Sequence, residues 1–482
     1  MKKINSCAVI RAGVFSSVLL FSLILFNKPL IAQIKSSGND GLSLREAVDR
    51  AILIDPWLVG SHHQQQSVES LSVAANTLPD PKLTLGLANL PANDFSFERD
   101  PMSQFKVSIS QSFARGESLS IKQKQFQQLA SQFPYQRENR KALTSATVAK
   151  LWLDAFAEQK TEQLIEENRK LFEQLTDIVQ ASYSSTVANT RQQDIIRSQL
   201  ELTRLDDRLT EVKLRKETLL KRLLEWLSPK LLDKNDHEPS WDYFRLIKTD
   251  YLELNNLLPS LNIIEKELVL NDKSSISKLV LPLLMKHPAI LEIDKKIEAT
   301  KTGISLAKQK YKPEWGVSAS YGYRDDVNLP NGQQASDLFS IVVSFDLPIF
   351  TSNKQDKYLS SAISKTEAAK TEKTLLLRKM LAKFESNRSR LNRLYQRESL
   401  YQDKLLPQLE VQSEATLSAY TNDDGDFDQV IRARISQLNA RIELVEIQVE
   451  IQKTIAELNY FFIQKAENLI TYKNASNLQE GK

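Results

Sequence analysis

The chain has 482 residues, 26% of them charged and only twelve of them glycine. That length exceeds one ordinary globular core, and the glycine-poor, charge-rich composition favours helix. Residues 1–32 have the features of a secretory signal peptide: basic Lys2, Lys3 and Arg11, an apolar run from Ala12 to Phe26, and Leu30-Ile31-Ala32 before Gln33. The apolar run has 15 residues, short of the ~20 that a spanning helix needs, so a retained anchor is the weaker alternative. Cleavage would remove four of the 64 basic residues, none of the 60 acidic ones, and the single cysteine, Cys7. The remainder is electrically neutral, so nucleic acid is not an implied partner. It also has no disulfide and no thiolate metal site.

The first helical stripe is Leu44, Ala47, Val48 and Ala51, with Ser43 as N-cap. The spacing predicts a helix over 43–78, ended by Pro79 and Pro81. Strands are predicted at 82–90 and 103–113. Leu83, Leu85 and Leu87 alternate with Lys82, Thr84 and Gly86, and Phe105, Val107, Ile109 and Phe113 alternate with Lys106, Ser108, Ser110 and Ser112. A long charged helix is predicted over 117–183, kinked at Pro134, with a returning helix over 191–227. Residues 228–284 carry four prolines (229, 239, 259, 282) and read as a compact connector.

The second half, 285–470, says the same thing again. Pro56 and Pro81 lie 25 residues apart, as do Pro288 and Pro313. The spacing predicts a helix over 288–311, strands at 314–323 and 338–348, a long helix over 353–420 and a return over 427–467, followed by a polar tail at 471–482. Trp315, Val317, Ala319, Tyr321 and Tyr323 share one strand face, and Phe339, Ile341, Val343, Phe345 and Leu347 share another. Both return helices carry a heptad seam. Eight of ten seam positions from 195 to 226 are apolar, Ser198 and Lys216 excepted, as are seven of nine from 431 to 459.

A soluble half-buried sheet would also alternate in this way, and for one hairpin that is the simpler account. Two hairpins with aromatic residues near the strand ends and small polar residues opposite fit a transmembrane barrel around a wet lumen. No run is long enough for a transmembrane helix, so any membrane crossing is by strands. Four strands cannot close a barrel, and an open edge in lipid costs several kcal/mol per unpaired group. Strands must be pooled: two copies give eight, three give twelve, and only the larger count leaves an appreciable pore.

Four stretches carry a family resemblance: Leu-Pro-Asp-Pro-Lys-Leu-Thr-Leu-Gly-Leu-Ala-Asn-Leu-Pro at 78–91, Gln-Gln-Asp-Ile-Ile-Arg-Ser-Gln-Leu-Glu-Leu at 192–202, Trp-Gly-Val-Ser-Ala-Ser-Tyr-Gly-Tyr-Arg-Asp-Asp at 315–326, and Val-Ser-Phe-Asp-Leu-Pro-Ile-Phe at 343–350. In these the chain resembles the TolC-like outer-membrane efflux proteins, closest to the heavy-metal (Czc/Cus-type) subgroup. The resemblance implies a homotrimer in the outer membrane of a Gram-negative bacterium. A twelve-stranded barrel would continue into a twelve-helix periplasmic tunnel. The tunnel would dock on a periplasmic adaptor and, through it, on an inner-membrane pump of the RND type. It implies a passive duct, exporting metal cations or small toxic compounds, with no enzymatic activity and no cofactor. Phe105, Val107, Ile109, Phe339, Ile341, Val343 and Phe345 would then face outer-membrane lipid.

By the same resemblance the adaptor-contact tips fall on Val187, Ala188 and Asn189, and on Asn422, Asp423, Asp424 and Gly425. The family's Val-Gly-Leu or Val-Gly-Thr tip motif is absent from both. Gate aspartates of some members fall here on Gln429 and Arg432, with Asp426 and Asp428 adjacent. The cluster of Asp423, Asp424, Asp426 and Asp428 reads equally well as a solvated turn and as an acidic ring. His62 and His63 are helix neighbours that point apart, and His237 and His287 lie elsewhere, so no metal site is expected. No nucleophile, phosphate-loop or dinucleotide motif occurs. A non-conducting coiled-coil scaffold or adhesion stalk is the competing account of the whole chain.

Overall fold

The computed structural model describes residues 41–93, 95–97, 99–184, 192–228, 252–270, 276–325, 335–422 and 424–465. The expected signal segment, the C-terminal tail and much of the connector lie outside the described residues.

Helix α1 (Leu44–Ile54) starts at a capping box. The Glu46 amide donates to Ser43 Oγ at 3.3 Å, and the Ser43 amide donates to Glu46 Oε2 at 3.1 Å. The single helix expected over 43–78 is in fact two, because Asp55-Pro56 starts a new one, α2 (Pro56–Ala74). Asp55 Oδ1 accepts from the Trp57 amide at 3.0 Å, and a proline at the first helical position loses no helical bond. Arg140 holds the same carboxylate, Nε to Oδ2 at 2.8 Å, while lying over the rings of Trp57 and Trp226. The capped start is thereby fixed to the long helices.

Strands β1 (Lys82–Ala88) and β2 (Gln104–Phe113) follow, then α3 (Ser118–Ala130), α4 (Phe133–Tyr183) and α5 (Gln192–Leu227). The long helix expected from 117 breaks at Ser131-Gln132, and Pro134 sits in the first turn of α4, where its missing N–H removes no bond. The connector supplies α6 (Lys266–Leu270) and α7 (Ile276–Leu284). The second repeat runs α8 (Pro288–Gln309), β3 (Trp315–Tyr323), β4 (Leu338–Phe345) and α9 (Gln355–Leu400). Strand β4 ends three residues short of the expected 348, because Asp346 turns away to bond with residues 314 and 115. One π-helical turn, Tyr401–Leu405, separates α9 from α10 (Leu406–Thr421). It widens the helix just ahead of Pro407, whose ring cannot sit in a regular turn. Helix α11 (Phe427–Asn459) tightens into a 3-10 segment, Tyr460–Lys465, so the return helix stops before the expected 467.

The four strands make one antiparallel sheet in the order β1-β2-β3-β4, with β2–β3 joining the two repeats. Each hairpin enters and leaves the sheet at the same end, so the helices gather there. Three apolar clusters hold those helices, a small one of Ile293, Ile297 and Ala369 and two larger ones. One of the larger two buries Trp152, Phe156, Phe384, Phe461 and Phe462 together with parts of α1, α5, α7 and α11. The other, nearer the helix turns, packs Ile195, Leu202, Leu205 and Leu209 against Phe427, Ile431, Leu438 and Ile442. The seam's polar exceptions have partners. Lys216 pairs with Glu162. Gln452 Oε1 accepts from the Leu261 amide at 2.8 Å, and Asn459 Oδ1 from the Ile264 amide at 3.1 Å. These two side chains tie the connector to α11.

His287 caps α8 from within the protein. Its Nδ1 accepts from the Ala289 amide at 3.2 Å, so Nε2 carries the proton and donates to the Tyr460 carbonyl at 3.0 Å. Burial pushes the imidazole down from 6.5 to about 4, against the opposing pull of the Tyr460 carbonyl. Between those values the unfolded chain binds a proton here that the folded chain does not. The ring's contribution is therefore full above pH 6.5 and is lost as pH falls through the folded value. Thermal denaturation followed from pH 7.5 down to pH 4 is expected to show this loss, with a shallower dependence in His287→Gln.

Candidate functional site

The strand register sorts the sheet into two unlike faces. One face has five cross-strand rows: Leu87–Phe105–Tyr323, Leu85–Val107–Tyr321–Phe339, Leu83–Ile109–Ala319–Ile341, Gln111–Val317–Val343 and Phe113–Trp315–Phe345. All seven strand residues singled out from the sequence lie on it. Aromatic residues concentrate in the first two rows and the last, and aliphatic ones in the third and fourth. The single polar intruder, Gln111, donates its amide to the Pro79 carbonyl at 2.8 Å and the Ser112 carbonyl at 2.9 Å. Phe339, Ile341 and Val343 remain 67%, 64% and 55% exposed, so nothing among the described residues covers this face there.

The other face carries Thr84, Ser108, Ser320 and Ser340 in one row, and Lys82, Ser110, Ser318 and Val342 in the next. From Phe105 to Phe113 the strand advances about 27 Å, or about 20 Å along a membrane normal at roughly 40° tilt. That is close to the ~25 Å apolar band of outer-membrane barrels. Among the described residues no helix is long and apolar enough to cross a membrane.

Sheet and helices meet at a charged knot. Arg115 pairs with Asp346 and with Glu314, at 3.4 Å for the latter, and its Nη1 donates to the Lys310 and Lys312 carbonyls at 3.3 Å each. Gly116 takes φ +48° directly after it, and a Cβ there would lie 2.5 Å from Gln309 and from Lys312. Glycine takes this left-handed conformation without strain.

At the far end of the helices the expected tip residues Val187, Ala188, Asn189 and Asp423 lie outside the described residues. The rest of the second turn is compact. The Asp424 amide donates to the Ala419 carbonyl at 2.9 Å, and Tyr420 packs on Phe427 with centroids 5.4 Å apart. A Cβ at Gly425 would lie 3.0 Å from the Tyr420 nitrogen and 3.1 Å from Ala419, so a bulky residue there would strain the turn itself. Asn422, Asp424 and Asp426 are exposed. Asp426 occupies the N-cap of α11 without a side-chain capping bond.

Asp428 is the organised member of the group. Arg432, one turn on, contacts its Oδ2 at 2.5 Å, and Arg197 of α5 contacts its Oδ1. One carboxylate is thus shared by two guanidinium groups, one from each helical hairpin. Gln429 is exposed beside it. Arg197 was not singled out from the sequence; it lies inside the 192–202 motif, six residues into α5, as Arg432 lies six into α11. Superposing the starts of the two return helices would have found it. Among the described residues no cluster of His, Cys, Asp and Glu suited to a metal is present.

No protein-family model matches this chain, and no curated protein matches its sequence. Solved structures do match. It is similar to the CmeC outer-membrane channel of Campylobacter jejuni at a TM-score of 0.67 and 14% identity, covering 91% of this chain and 92% of that one. It is similar to the outer-membrane protein VceC of Vibrio cholerae at 0.65 and 12%, covering 88% and 95%. It is similar to the channel-forming protein CusC at 0.65 and 12%, covering 87% and 91%. The chain therefore has the fold of a TolC-type outer-membrane channel subunit.

Proposed function

We propose that this chain is the outer-membrane exit duct of a tripartite efflux system, a passive channel and not an enzyme. The two-faced sheet carries the reading. One face is apolar with aromatic ends, the other is small and polar, and the outer strands β1 and β4 each present an edge. In hydrocarbon those edges must pair. Pairing β4 of one copy with β1 of the next pools twelve strands from three copies, wide enough for an aqueous lumen. Phe105, Val107, Ile109, Phe339, Ile341, Val343 and Phe345 then contact lipid, and Ser108, Ser110 and Ser344 line the water.

On this reading the helical hairpins continue the duct into the periplasm. The turns at Val187, Ala188 and Asn189 and at 422–425 contact a periplasmic adaptor, which links the duct to an inner-membrane pump of the RND type. The pump supplies the energy. The cargo is metal cations or small toxic compounds; the motifs that resemble those of the heavy-metal subgroup support the metal option.

The periplasmic entrance is narrowed at Asp426 and Asp428, and Arg197 and Arg432 restrain the second of these. Planar-bilayer recording tests duct and gate together. The wild-type channel is expected to conduct weakly, and Arg432→Glu, which sets two carboxylates against each other, to raise basal conductance. Replacing Asp426 and Asp428 by asparagine should weaken block by divalent cations. Unchanged conductance and block in these variants would move the constriction elsewhere, and a non-conducting scaffold would give no current in any of them.

A further inference from the structure

The two repeats leave the sheet differently. After β2 the chain turns through Ala114, Arg115 and Gly116 and is helical again by Ser118. After β4 nine residues, 346–354, intervene before α9. Asp346 is drawn into the Arg115 knot, but the apolar side chains beyond it are left outside. Leu347 is 62% exposed, Ile349 69% and Phe350 89%. In sequence Leu347 continues the two-residue period of Val343 and Phe345, and the segment follows directly on the strand that carries them. It starts at the aromatic end row, where Trp315 and Phe345 pack with centroids 5.3 Å apart. Basic groups accompany it: Lys354 and Lys357 are exposed on the same linker and the first turn of α9, and the Lys310 ammonium lies 3.1 Å over the Tyr358 ring.

Aromatic rings and lysines at the edge of an apolar band are what an interface between acyl chains and phosphate selects. We propose that residues 347–357 form a lipid-docking surface, seated on the phosphate layer of the periplasmic leaflet. Leu347, Ile349 and Phe350 enter the headgroup–acyl boundary, and Lys354 and Lys357 meet the phosphates of anionic phospholipid. This rests on the duct reading and adds to it the depth at which the channel sits. The rival occupant is a second copy of the chain.

Spin labels distinguish the two, because Cys7 is the only native cysteine and is removed by Cys7→Ser. Single variants Ile341→Cys, Phe350→Cys and Asn353→Cys of the full chain are labelled and reconstituted in vesicles of phosphatidylethanolamine and phosphatidylglycerol. Collision with oxygen and with a water-soluble nickel chelate is then measured. The label at 341 should favour oxygen strongly and that at 353 the chelate. The label at 350 should fall between them, several-fold richer in oxygen collisions than 353. Lys354→Glu with Lys357→Glu should move it toward water. A label at 350 matching 353, or closed to both reagents because a second copy covers it, overturns this inference and leaves the duct reading intact. A label at 341 that does not favour oxygen overturns the duct reading itself.

Discussion

Ile341→Arg is expected to prevent stable insertion in the outer membrane, at a cost of about 2–4 kcal/mol per copy. The register is the reason. Ile341 lies in the third of five apolar rows, in the same row as Ala319 and Ile109, which on the proposed duct reading sets an arginine there furthest from either headgroup layer. The sequence alone points as readily to Val343, but that residue sits one row nearer the helices, opposite Val317. The penalty for charge falls toward the interface, so Val343→Arg should cost less than Ile341→Arg. Ser340→Arg, one residue away on the other face, should be tolerated and alter conductance instead. Folded fraction in vesicles against urea measures all three. Equal costs at 340 and 341 would mean that the two faces do not meet different solvents.

Trp152→Ala is expected to destabilise the folded chain by about 3–5 kcal/mol. The ring is 1% exposed and stacks on Phe156 at 5.4 Å between centroids. Its Nε1 donates to the Leu42 carbonyl at 3.0 Å. Leu42 is itself clasped by the connector: its amide donates to the Glu253 carbonyl at 2.7 Å, and its carbonyl accepts from the Asn255 amide at 3.1 Å. Truncation thus opens a cavity and loosens the contact that joins the connector to the first repeat. Trp152→Phe keeps most of the volume and loses the hydrogen bond, for about 1 kcal/mol. Denaturation midpoints in detergent check both variants, with the alanine variant expected to melt well below the phenylalanine one.

The strands were legible because a two-residue period needs only local information. Phe105 to Phe113 and Phe339 to Phe345 declare their faces without reference to any other part of the chain. The register that lines up the aromatic and aliphatic rows was not legible, since it depends on which residue of β2 meets which residue of β3. The helix expected over 43–78 is two helices, and the sequence does carry a signal for the break: Asp55-Pro56 stands at the place in the first repeat where His287-Pro288 starts a helix in the second. Helical periodicity continues across that junction and hides the local cap. The break at Ser131-Gln132 has no comparable marker besides Pro134. At the helix turns the acidic cluster was visible, but its order was not. Arg197 reaches Asp428 only through packing of the two return helices, and the pairing sets two cations on one member of the expected acidic group.

Four strands cannot close a membrane barrel alone. Native mass spectrometry of the chain, released from detergent after folding, shows how many copies pool their strands. A single dominant species of three chains is expected, held by the edges of β1 and β4, which have no strand partner among the described residues. A stable, folded monomer would contradict that pooling.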